Sequence, residues 1–174
     1  MSHSTSETSI FIDQINWKHG SFYIAATPTG LCYVGSPNES LEEVKSFLKK
    51  RFNHYSLREN KSLTEPYSLQ FIEYFEKERT SFSFPLNVTG TPFEQLVWNQ
   101  LLTVPYGEVT SYSDLGRKLK KPNAARAVGS AVGRNPLLIV LPCHRVVRKD
   151  GTHTGYRGGL AMKKNLLELE NFPS

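Results

Sequence analysis

The sequence predicts an α/β fold of the α+β kind, built as two domains of different character over residues 1–89 and 90–174. Short apolar segments separated by glycine turns fill the first part, whereas capped helical patterns fill the second. The charge divides at the same place: the first part carries 9 Lys+Arg and 10 Asp+Glu, the second 12 and 6, within a net charge of +5. A basic domain beside a neutral one favours a polyanionic partner such as nucleic acid, although a solvated basic surface has the same composition.

The first part should contain three strands and two helices. The strands are the apolar segments 10–15, 22–26 and 31–34. Ser40, followed three residues later by Glu43, has the capping-box pattern and predicts the first helix. The second helix is predicted over residues 68–78. Its buried face is expected to carry Leu69, Ile72 and Phe75. Residues 82–88 then alternate as in a strand, but Pro85 favours an edge strand or a linker.

The second part should open with three helices. Thr91 before Pro92 predicts the start of the first. Its buried face is expected to carry Phe93, Leu96, Val97 and Leu101, with Trp98 beside it. Ser111 caps the second helix, and the third spans residues 124–132 beyond the break at Pro122. Two helices around a short proline-broken turn have the outline of a helix-turn-helix.

The third helix is unusual for a helix that reads the major groove. Its side chains are small, and the Asn, Gln and Lys residues expected for base readout are missing. Small residues let a helix backbone approach a binding surface closely, but they serve helix–helix packing equally well. Both interpretations stay open, since one face can pack while the other binds.

Two further segments complete the second part. Residues 137–141 are five consecutive aliphatic residues, which predicts a buried strand or extended segment. A closing helix is predicted over residues 160–170. Its apolar positions are Leu160, Leu166, Leu167 and Leu169.

Cys143 follows the aliphatic segment, between Pro142 and His144. A thiol becomes a strong nucleophile at neutral pH only beside a base or in a positive field. A buried structural cysteine is the alternative, and Cys32, in a predicted strand, fits that alternative well. In the first part only Cys32 and the scattered His3, His19 and His54 are available as ligands, with no metal-ligand spacing, so we predict no metal. Sparse cysteines favour a reducing compartment such as the cytoplasm, and no stretch approaches the roughly 18 apolar residues of a membrane span.

The surroundings of Cys143 carry a family signature. Residues 135–147 read NPLLIVLPCHRVV, residues 124–129 read AARAVG, and Tyr112 and Tyr156 flank them at matching spacing. This combination strongly resembles the O6-alkylguanine-DNA alkyltransferases, also called methylated-DNA–protein-cysteine methyltransferases, over nearly half of the chain. The resemblance implies direct, irreversible transfer of a methyl or larger alkyl group from O6-alkylguanine, and also from O4-alkylthymine, to Cys143.

The resemblance also implies a role for each matching residue. The catalytic set is Cys143 as nucleophile and alkyl acceptor, His144 as base acting through a water, Glu170 orienting His144, Asn135 bracing the active-site turn, and Tyr112 donating a proton to guanine N3. Arg126 takes the place of the flipped nucleotide in the DNA stack. The other residues expected at the minor groove are Ser111, Ala124, Ala125, Ala127 and Gly129. The base pocket is expected to comprise Leu138, Val146, Tyr156, Arg157 and Gly158.

Further expectations follow from the family. Backbone carbonyls of Cys143 and Val146 are expected to accept hydrogen bonds from the exocyclic amine of guanine, which suits an extended segment with free carbonyls. The first domain is expected to be ribonuclease-H-like without that activity, and the second winged-helix-like. The partner is double-stranded DNA, with no cofactor and no membrane. Each molecule is expected to act once and as a monomer, in the cytoplasm or nucleoid of a bacterium or the nucleus of a eukaryote.

Two positions depart from better-known members, and three rival functions remain. Leu138 stands where some relatives have proline, and Arg157 where others have a small residue, so the range of alkyl groups stays open. A module that binds alkylated bases without repairing them is one rival, but its known examples lack the cysteine. A helix-turn-helix regulator is the second, which the small residues of the third helix disfavour. A cysteine hydrolase is the third, and no separate histidine motif supports it.

Overall fold

The computed structural model describes residues 6–152 and 155–172. The chain divides into two compact units, Met1–Val88 and Thr89–Ser174. Within the described residues, no helix is both long and apolar enough to cross a membrane.

The first unit is built on a four-stranded sheet. Its strands are β1 (Thr8–Trp17), β2 (Gly20–Thr27), β3 (Gly30–Val34) and β4 (Tyr55–Glu59). The order is β3-β2-β1-β4, antiparallel except for the parallel pair of β1 and β4. The three predicted strands are present. The sequence did not predict β4, because an edge strand paired on one side shows no clean alternation of buried and exposed residues.

Helix α1 (Leu41–Arg51) makes the crossover between β3 and β4 that a parallel pair requires. The predicted capping box is confirmed: Glu43 N donates to Ser40 Oγ at 3.2 Å and Ser40 N donates to Glu43 Oε2 at 2.7 Å. Val44 and Leu48 face the core cluster that also contains Cys32. Burial raises the pKa of Cys32 to about 12, so this thiol is inert near neutral pH.

Helix α2 (Lys61–Phe75) begins earlier than predicted, and two of the three residues predicted on its buried face are wrong, since only Phe75 packs inward, against Trp17 and Phe22. Leu69 is 49% exposed and Ile72 is also exposed. The buried residues are Thr64, Tyr67, Phe71 and Tyr74. The aromatic rings set the orientation of the helix, since Phe71 packs against Phe22 with the ring centroids 5.7 Å apart. Pro66, inside the helix, concealed its start because proline ordinarily ends helical patterns.

The segment after α2 forms no strand, although its phenylalanines alternate. Phe82 and Phe84 contact Phe71, with ring centroids 5.1 and 6.0 Å away. One isolated bridge joins Leu86 to Leu31. The segment is therefore a linker that packs on the first unit, which is one of the two alternatives that Pro85 favoured.

The second unit is mostly helical, as predicted. Its helices are α3 (Pro92–Leu101), α4 (Tyr112–Lys118), α5 (Ala125–Gly133) and α6 (Leu160–Leu169), with a short parallel pair of β5 (Thr110–Ser111) and β6 (Val146–Val147). The predicted caps are confirmed. Thr91 accepts from Glu94 N and Ser111 accepts from Asp114 N, both at 3.1 Å.

Two apolar faces in this unit differ from the prediction. On α3, Leu96 is exposed, whereas Trp98 is buried and its Nε1 donates to Ala131 O at 2.9 Å. The indole therefore defines the buried face, because it has both area to bury and a polar group to satisfy. On α6, Leu160 is exposed. Lys163 is buried instead, on the same helix as the buried Met162, Leu166 and Leu167.

Residues 137–141 are buried as predicted, but they form no strand. The chain turns tightly there: Ile139 has φ +74°, and Leu141 N donates to Leu137 O at 3.0 Å. A run that is apolar on every side carries no period, so its conformation could not be read from the pattern. The local turn satisfies backbone groups that would otherwise be buried without partners.

Candidate active site

Cys143 begins a single 3₁₀ turn, Cys143–Arg145, rather than the extended segment that the sequence predicted. Cys143 N donates to Leu141 O at 2.7 Å and Arg145 N to Pro142 O at 3.0 Å. The turn holds the thiol, which is only 4% exposed, at the end of the buried aliphatic segment.

Both polar atoms of the Asn135 side chain make hydrogen bonds that stabilise this region. Its Oδ1 accepts from Leu137 N at 2.8 Å, and its Nδ2 donates to Leu141 O at 2.8 Å. The same Nδ2 lies 3.0 Å from Cys143 Sγ. One fully buried amide therefore fixes the turn and places a hydrogen-bond donor on the sulfur.

Behind the thiol lies a buried group formed by His144, Arg145 and Glu170. His144 Nε2 lies 2.9 Å from Glu170 Oε1, and Arg145 holds the same carboxylate through two nitrogens at 2.7 and 2.9 Å. Arg145 also donates to Val104 O at 2.7 Å. Among the described residues, His144 Nδ1 is buried without a hydrogen-bond partner. The imidazole thus has one nitrogen fixed by the carboxylate and one available as a proton acceptor.

The protonation states of this group follow from burial and contact. Burial works to raise the pKa of Glu170, but the hydrogen bonds from His144 and Arg145 outweigh it and lower that pKa to about 2. Burial lowers the pKa of His144, with Glu170 opposing. Glu170 is therefore anionic at neutral pH while His144 is neutral, which is the state of a general base.

The pKa of the Cys143 thiol is raised by burial and lowered by several neighbours. The opposing influences are the hydrogen bond from Asn135 and the charges of Arg157 and Lys163. The resting group is therefore a thiol, which must lose its proton before it can attack. The neutral imidazole is the residue in this site suited to receive it.

Lys163 is the least expected member of the site. It is 1% exposed, and its Nζ donates to Val146 O at 2.6 Å. The carbonyl of Cys143 is also engaged, since it accepts from Val146 N at the end of the 3₁₀ turn. Neither carbonyl is free, whereas the extended segment predicted from the sequence would have left both free. Each oxygen retains a second lone pair for a further donor.

Tyr156, Arg157 and Gly158 form the loop that precedes α6. The hydroxyl of Tyr156 is buried without a hydrogen-bond partner among the described residues. A Cβ on Gly158 would lie 2.5 Å from Met162 Sδ and 2.6 Å from Tyr156 Cε1, so any other residue there would force these side chains to shift. Leu138 Cδ1 borders the same position, and Arg157 Nε donates to Asn135 O at 3.0 Å. The structure therefore brings the predicted pocket residues together around Asn135 and the thiol.

Tyr112 belongs to a second group, on α4 and α5. An added Cβ on Gly129 would lie 3.7 Å from the Tyr112 ring, so α5 passes directly over that ring. Strand β5 pairs with β6, with Thr110 opposite Val146, and Tyr112 follows β5 at the start of α4. The short parallel pair therefore connects Tyr112 to the segment that carries the thiol. Ser111 is buried and its hydroxyl caps α4, so its side chain is committed to the helix.

Helix α5 has one packed and one exposed face. Val128, Ala131 and Val132 are buried, whereas Arg126 and Ala127 are exposed and Ala124, Ala125 and Gly129 are half-buried. The small residues therefore pack on one face, as one interpretation predicted, and leave the other face open, so the interpretation as a binding surface stays a prediction. A shallow cleft of about 400 Å³ adjoins this face, lined among others by Tyr112, Ala125 and Arg148.

Sequence reasoning missed Arg145 and Lys163. The signal for Lys163 was available, because a lysine at a position on the apolar face of a helix indicates a buried ammonium. Arg145 stands inside the quoted motif, but its contact with Glu170 spans 25 residues and depends on the tertiary fold. Among the described residues, no cluster of His, Cys, Asp or Glu could hold a metal ion.

Comparisons with known proteins agree with this geometry. The models named 6-O-methylguanine DNA methyltransferase, ribonuclease-like domain, and 6-O-methylguanine DNA methyltransferase, DNA binding domain, match residues 10–88 and 92–172. The inducible methylated-DNA–protein-cysteine methyltransferase of Bacillus subtilis is 45% identical over 166 residues, 95% of this chain and 93% of the relative.

Solved structures give the same result. The Mycobacterium tuberculosis O6-methylguanine methyltransferase has a TM-score of 0.80 and 35% identity, covering 92% of both chains. The Mycobacterium tuberculosis OGT in complex with DNA has a TM-score of 0.76 and 34% identity, covering 93% of this chain and 92% of that one. The predicted fold class, a ribonuclease-like α/β domain followed by a helical DNA-binding domain, is confirmed.

Proposed function

The chain belongs to the 6-O-methylguanine DNA methyltransferase family, and we propose from this membership that Cys143 takes the alkyl group directly from the O6 atom of a damaged guanine. The activity is direct repair of alkylated DNA by a transferase that binds DNA. A base-binding module without transfer activity, or a plain regulator, finds no support in these relatives, which are named as methyltransferases.

The observation that carries the proposal is the buried chain of contacts behind the thiol. Asn135 Nδ2 lies 3.0 Å from Sγ, and the neighbouring His144 is fixed by Glu170, which Arg145 holds in turn. A structural cysteine needs none of these partners, as Cys32 illustrates in its apolar cluster, where its thiol donates to Ala25 O. A nucleophile is activated by such partners: a donor for the developing anion, a base for the proton and a carboxylate to orient the base.

The chemistry is one displacement. The thiol proton passes to His144 through its open Nδ1, by way of a water, and Sγ forms a bond to the alkyl carbon. The bond between that carbon and O6 breaks with its electron pair staying on the guanine, which takes up a proton. Tyr112 assists by donating to guanine N3. The products are a thioether and unmodified guanine, and because a thioether has no ready leaving group, each molecule acts once.

Base extrusion is assigned to α5. Arg126 projects from the exposed face among small residues, so a long cation can fill the gap in the stack while the helix backbone lies close to the minor groove. Ala124, Ala125, Ala127 and Gly129 allow that approach. Contacts of this kind carry little sequence information, which suits a lesion that arises anywhere.

The proposed substrates are O6-methylguanine, guanines with larger O6-alkyl groups and O4-alkylthymine, all in double-stranded DNA. The guanine would lie between Tyr156 and the segment of Val146, with backbone carbonyls accepting from its exocyclic amine. We further propose a monomer that works where the DNA is, in the cytoplasm of a bacterium or the nucleus of a eukaryote.

The test uses a duplex with a single O6-methylguanine and the intact mass of the protein. The expected result is a gain of one methyl group by the wild type and none by Cys143→Ser. Cys32→Ser serves as the matched control and should gain the methyl as the wild type does. Folded wild-type protein that gains no mass would contradict the proposal.

A further inference from the structure

Arg157 is a charged residue of the pocket that the proposed chemistry does not use. Its Nε donates to Asn135 O at 3.0 Å, and the side chain of that same Asn135 contacts Cys143 Sγ at 3.0 Å. The guanidinium is thus held one residue away from the sulfur by two hydrogen bonds. Gly158, which follows it, lies close to the side chains of Tyr156 and Met162.

The thiol lies in the field of two cations. Arg157 and Lys163 both act on Cys143 electrostatically, and both favour its anionic form. The buried anion on the other side is Glu170, which Arg145 binds through two nitrogens and His144 contacts as well. Its charge is therefore largely matched within its own group. Arg157 therefore contributes a positive field in the space next to the sulfur, from the side of the loop.

The transferred alkyl group must occupy this space. Its reacting carbon lies about 3 to 3.5 Å from Sγ at the moment of attack, so a substituent on that carbon is only a bond further. An anionic substituent meets the developing thiolate with like-charge repulsion, which disfavours transfer. A cation fixed beside both groups offsets that repulsion, and a guanidinium also matches the planar geometry of a carboxylate.

We propose that Arg157 makes the alkyl pocket favour alkyl groups that carry a negative charge, with carboxymethyl as the smallest example. The inference rests on the proposed function. In the reaction, Sγ forms a bond to the methylene carbon and the bond from that carbon to O6 breaks toward the guanine. The guanine gains a proton in place of the one that the thiol lost. The product is S-carboxymethyl-cysteine at position 143.

The experiment compares three duplexes that differ only in the O6 substituent: methyl, carboxymethyl, and carbamoylmethyl, the neutral analogue of carboxymethyl. Single-turnover rate constants are measured by intact mass for the wild type, Arg157→Gln and Arg157→Lys. Lys164→Gln, an exposed position on α6, is the matched control. The ratio of the carboxymethyl to the carbamoylmethyl rate is compared within each protein, so differences in folded fraction cancel.

We expect Arg157→Gln to lower this ratio roughly fivefold, the size of one partly screened charge pair. Arg157→Lys keeps the charge and should retain most of the ratio, and Lys164→Gln should not change it. An unchanged ratio in Arg157→Gln would overturn the inference. The ratio would also stay unchanged if the arginine contacted DNA phosphate, because all three rates would then fall equally. A wild type that transfers none of the three groups would instead contradict the proposed function itself.

Discussion

At Cys143, burial and local charge act on the same thiol in opposite directions. Burial raises its pKa, while Asn135, Arg157 and Lys163 favour the thiolate. Burial prevails and the pKa is raised, so the sulfur is protonated and protected from oxidation at rest and ionises only when a base takes the proton. The reactivity is therefore a property of the surrounding residues rather than of the cysteine alone.

Lys163 allows a direct test of this balance. Lys163→Met removes the buried cation and its desolvation cost while keeping the length of the side chain. We expect the pH midpoint for alkylation of Cys143 by iodoacetamide to move upward, with a rate several-fold lower at pH 8. Peptide mass spectrometry separates Cys143 from the inert Cys32.

Lys164→Met is the control, since the next residue of the helix is exposed. It should leave the midpoint where the wild type has it. Identical midpoints for Lys163→Met and the wild type would show that the ammonium only holds Val146 and does not act on the sulfur.

Local sequence could not by itself separate a reactive from a buried cysteine at position 143. The distant motif residues made the difference, because Asn135, Tyr112 and Tyr156 stand at the family spacing. Arg145 and Lys163 escaped prediction, since their partners Glu170 and Val146 lie 25 and 17 residues away along the chain. The Arg145 contact belongs to the tertiary fold and leaves little local pattern, whereas Lys163 could have been noticed as a lysine on the apolar face of α6.

Among the elements, α5 was predicted within a residue and α2 was placed on the wrong face. The break at Pro122 located the start of α5 well, although its N-cap residue Ala124 makes no side-chain capping hydrogen bond. In α2, counting aliphatic residues favoured Leu69 and Ile72, but the larger aromatic side chains have more area to bury and determined the orientation.

This correction of α2 predicts a difference between two neighbouring positions. Phe71→Ala should destabilise the first unit by about 3 to 5 kcal/mol, because it empties a fully buried site. Leu69→Ala, at a half-exposed position, should cost less than about 1 kcal/mol. Peptide-resolved hydrogen exchange of β1 and β2 measures both. Equal loss of protection in the two variants would instead support the face predicted from the sequence, with Leu69 buried.

The exposed face of α5 predicts a split between two substrates. Arg126→Ala should slow repair in duplex DNA roughly 10- to 100-fold, because extruding a base costs a few kcal/mol. Reaction with a free O6-alkylguanine base needs no extrusion and should slow little. Arg134→Ala, at the other end of the same helix, is the matched control. Equal slowing with both substrates would contradict a role for Arg126 in base extrusion.

At the scale of the whole molecule, the positive charge and the reactive thiol share one unit. Residues 90–174 hold the surplus of cations as well as every residue assigned to the site. Composition predicted this division, and a polyanion was the partner it favoured. Composition could not show that the buried carboxylate of Glu170 belongs to the site and also contributes to the stability of the unit.

Glu170 therefore predicts how stability depends on pH. Its pKa is about 2 in the folded chain against an ordinary 4.5, so its contribution is complete above pH 4.5 and is lost as the pH falls toward 2. Glu170→Gln should cost about 3 to 5 kcal/mol at pH 7, because Arg145 is left buried without its partner. The difference from the wild type should shrink below pH 4.5.

Urea unfolding measures this stability. When Trp17 is replaced by Phe, Trp98 is the remaining tryptophan of the sequence, so its fluorescence reports on the second unit alone. Glu168→Gln, exposed on the same helix, is the control and should remain close to the wild type at every pH. A difference between Glu170→Gln and the wild type that does not change from pH 7 to pH 3 would contradict the account of the ion pair.

The most direct test of the central claim is a titration of the protein with excess duplex that carries O6-methylguanine, followed by peptide mapping. The account predicts that repaired guanine rises to one equivalent per protein and stops, with the methyl group on the peptide that contains Cys143. Repair that continues beyond one equivalent, or a methyl group on any other residue, would contradict it.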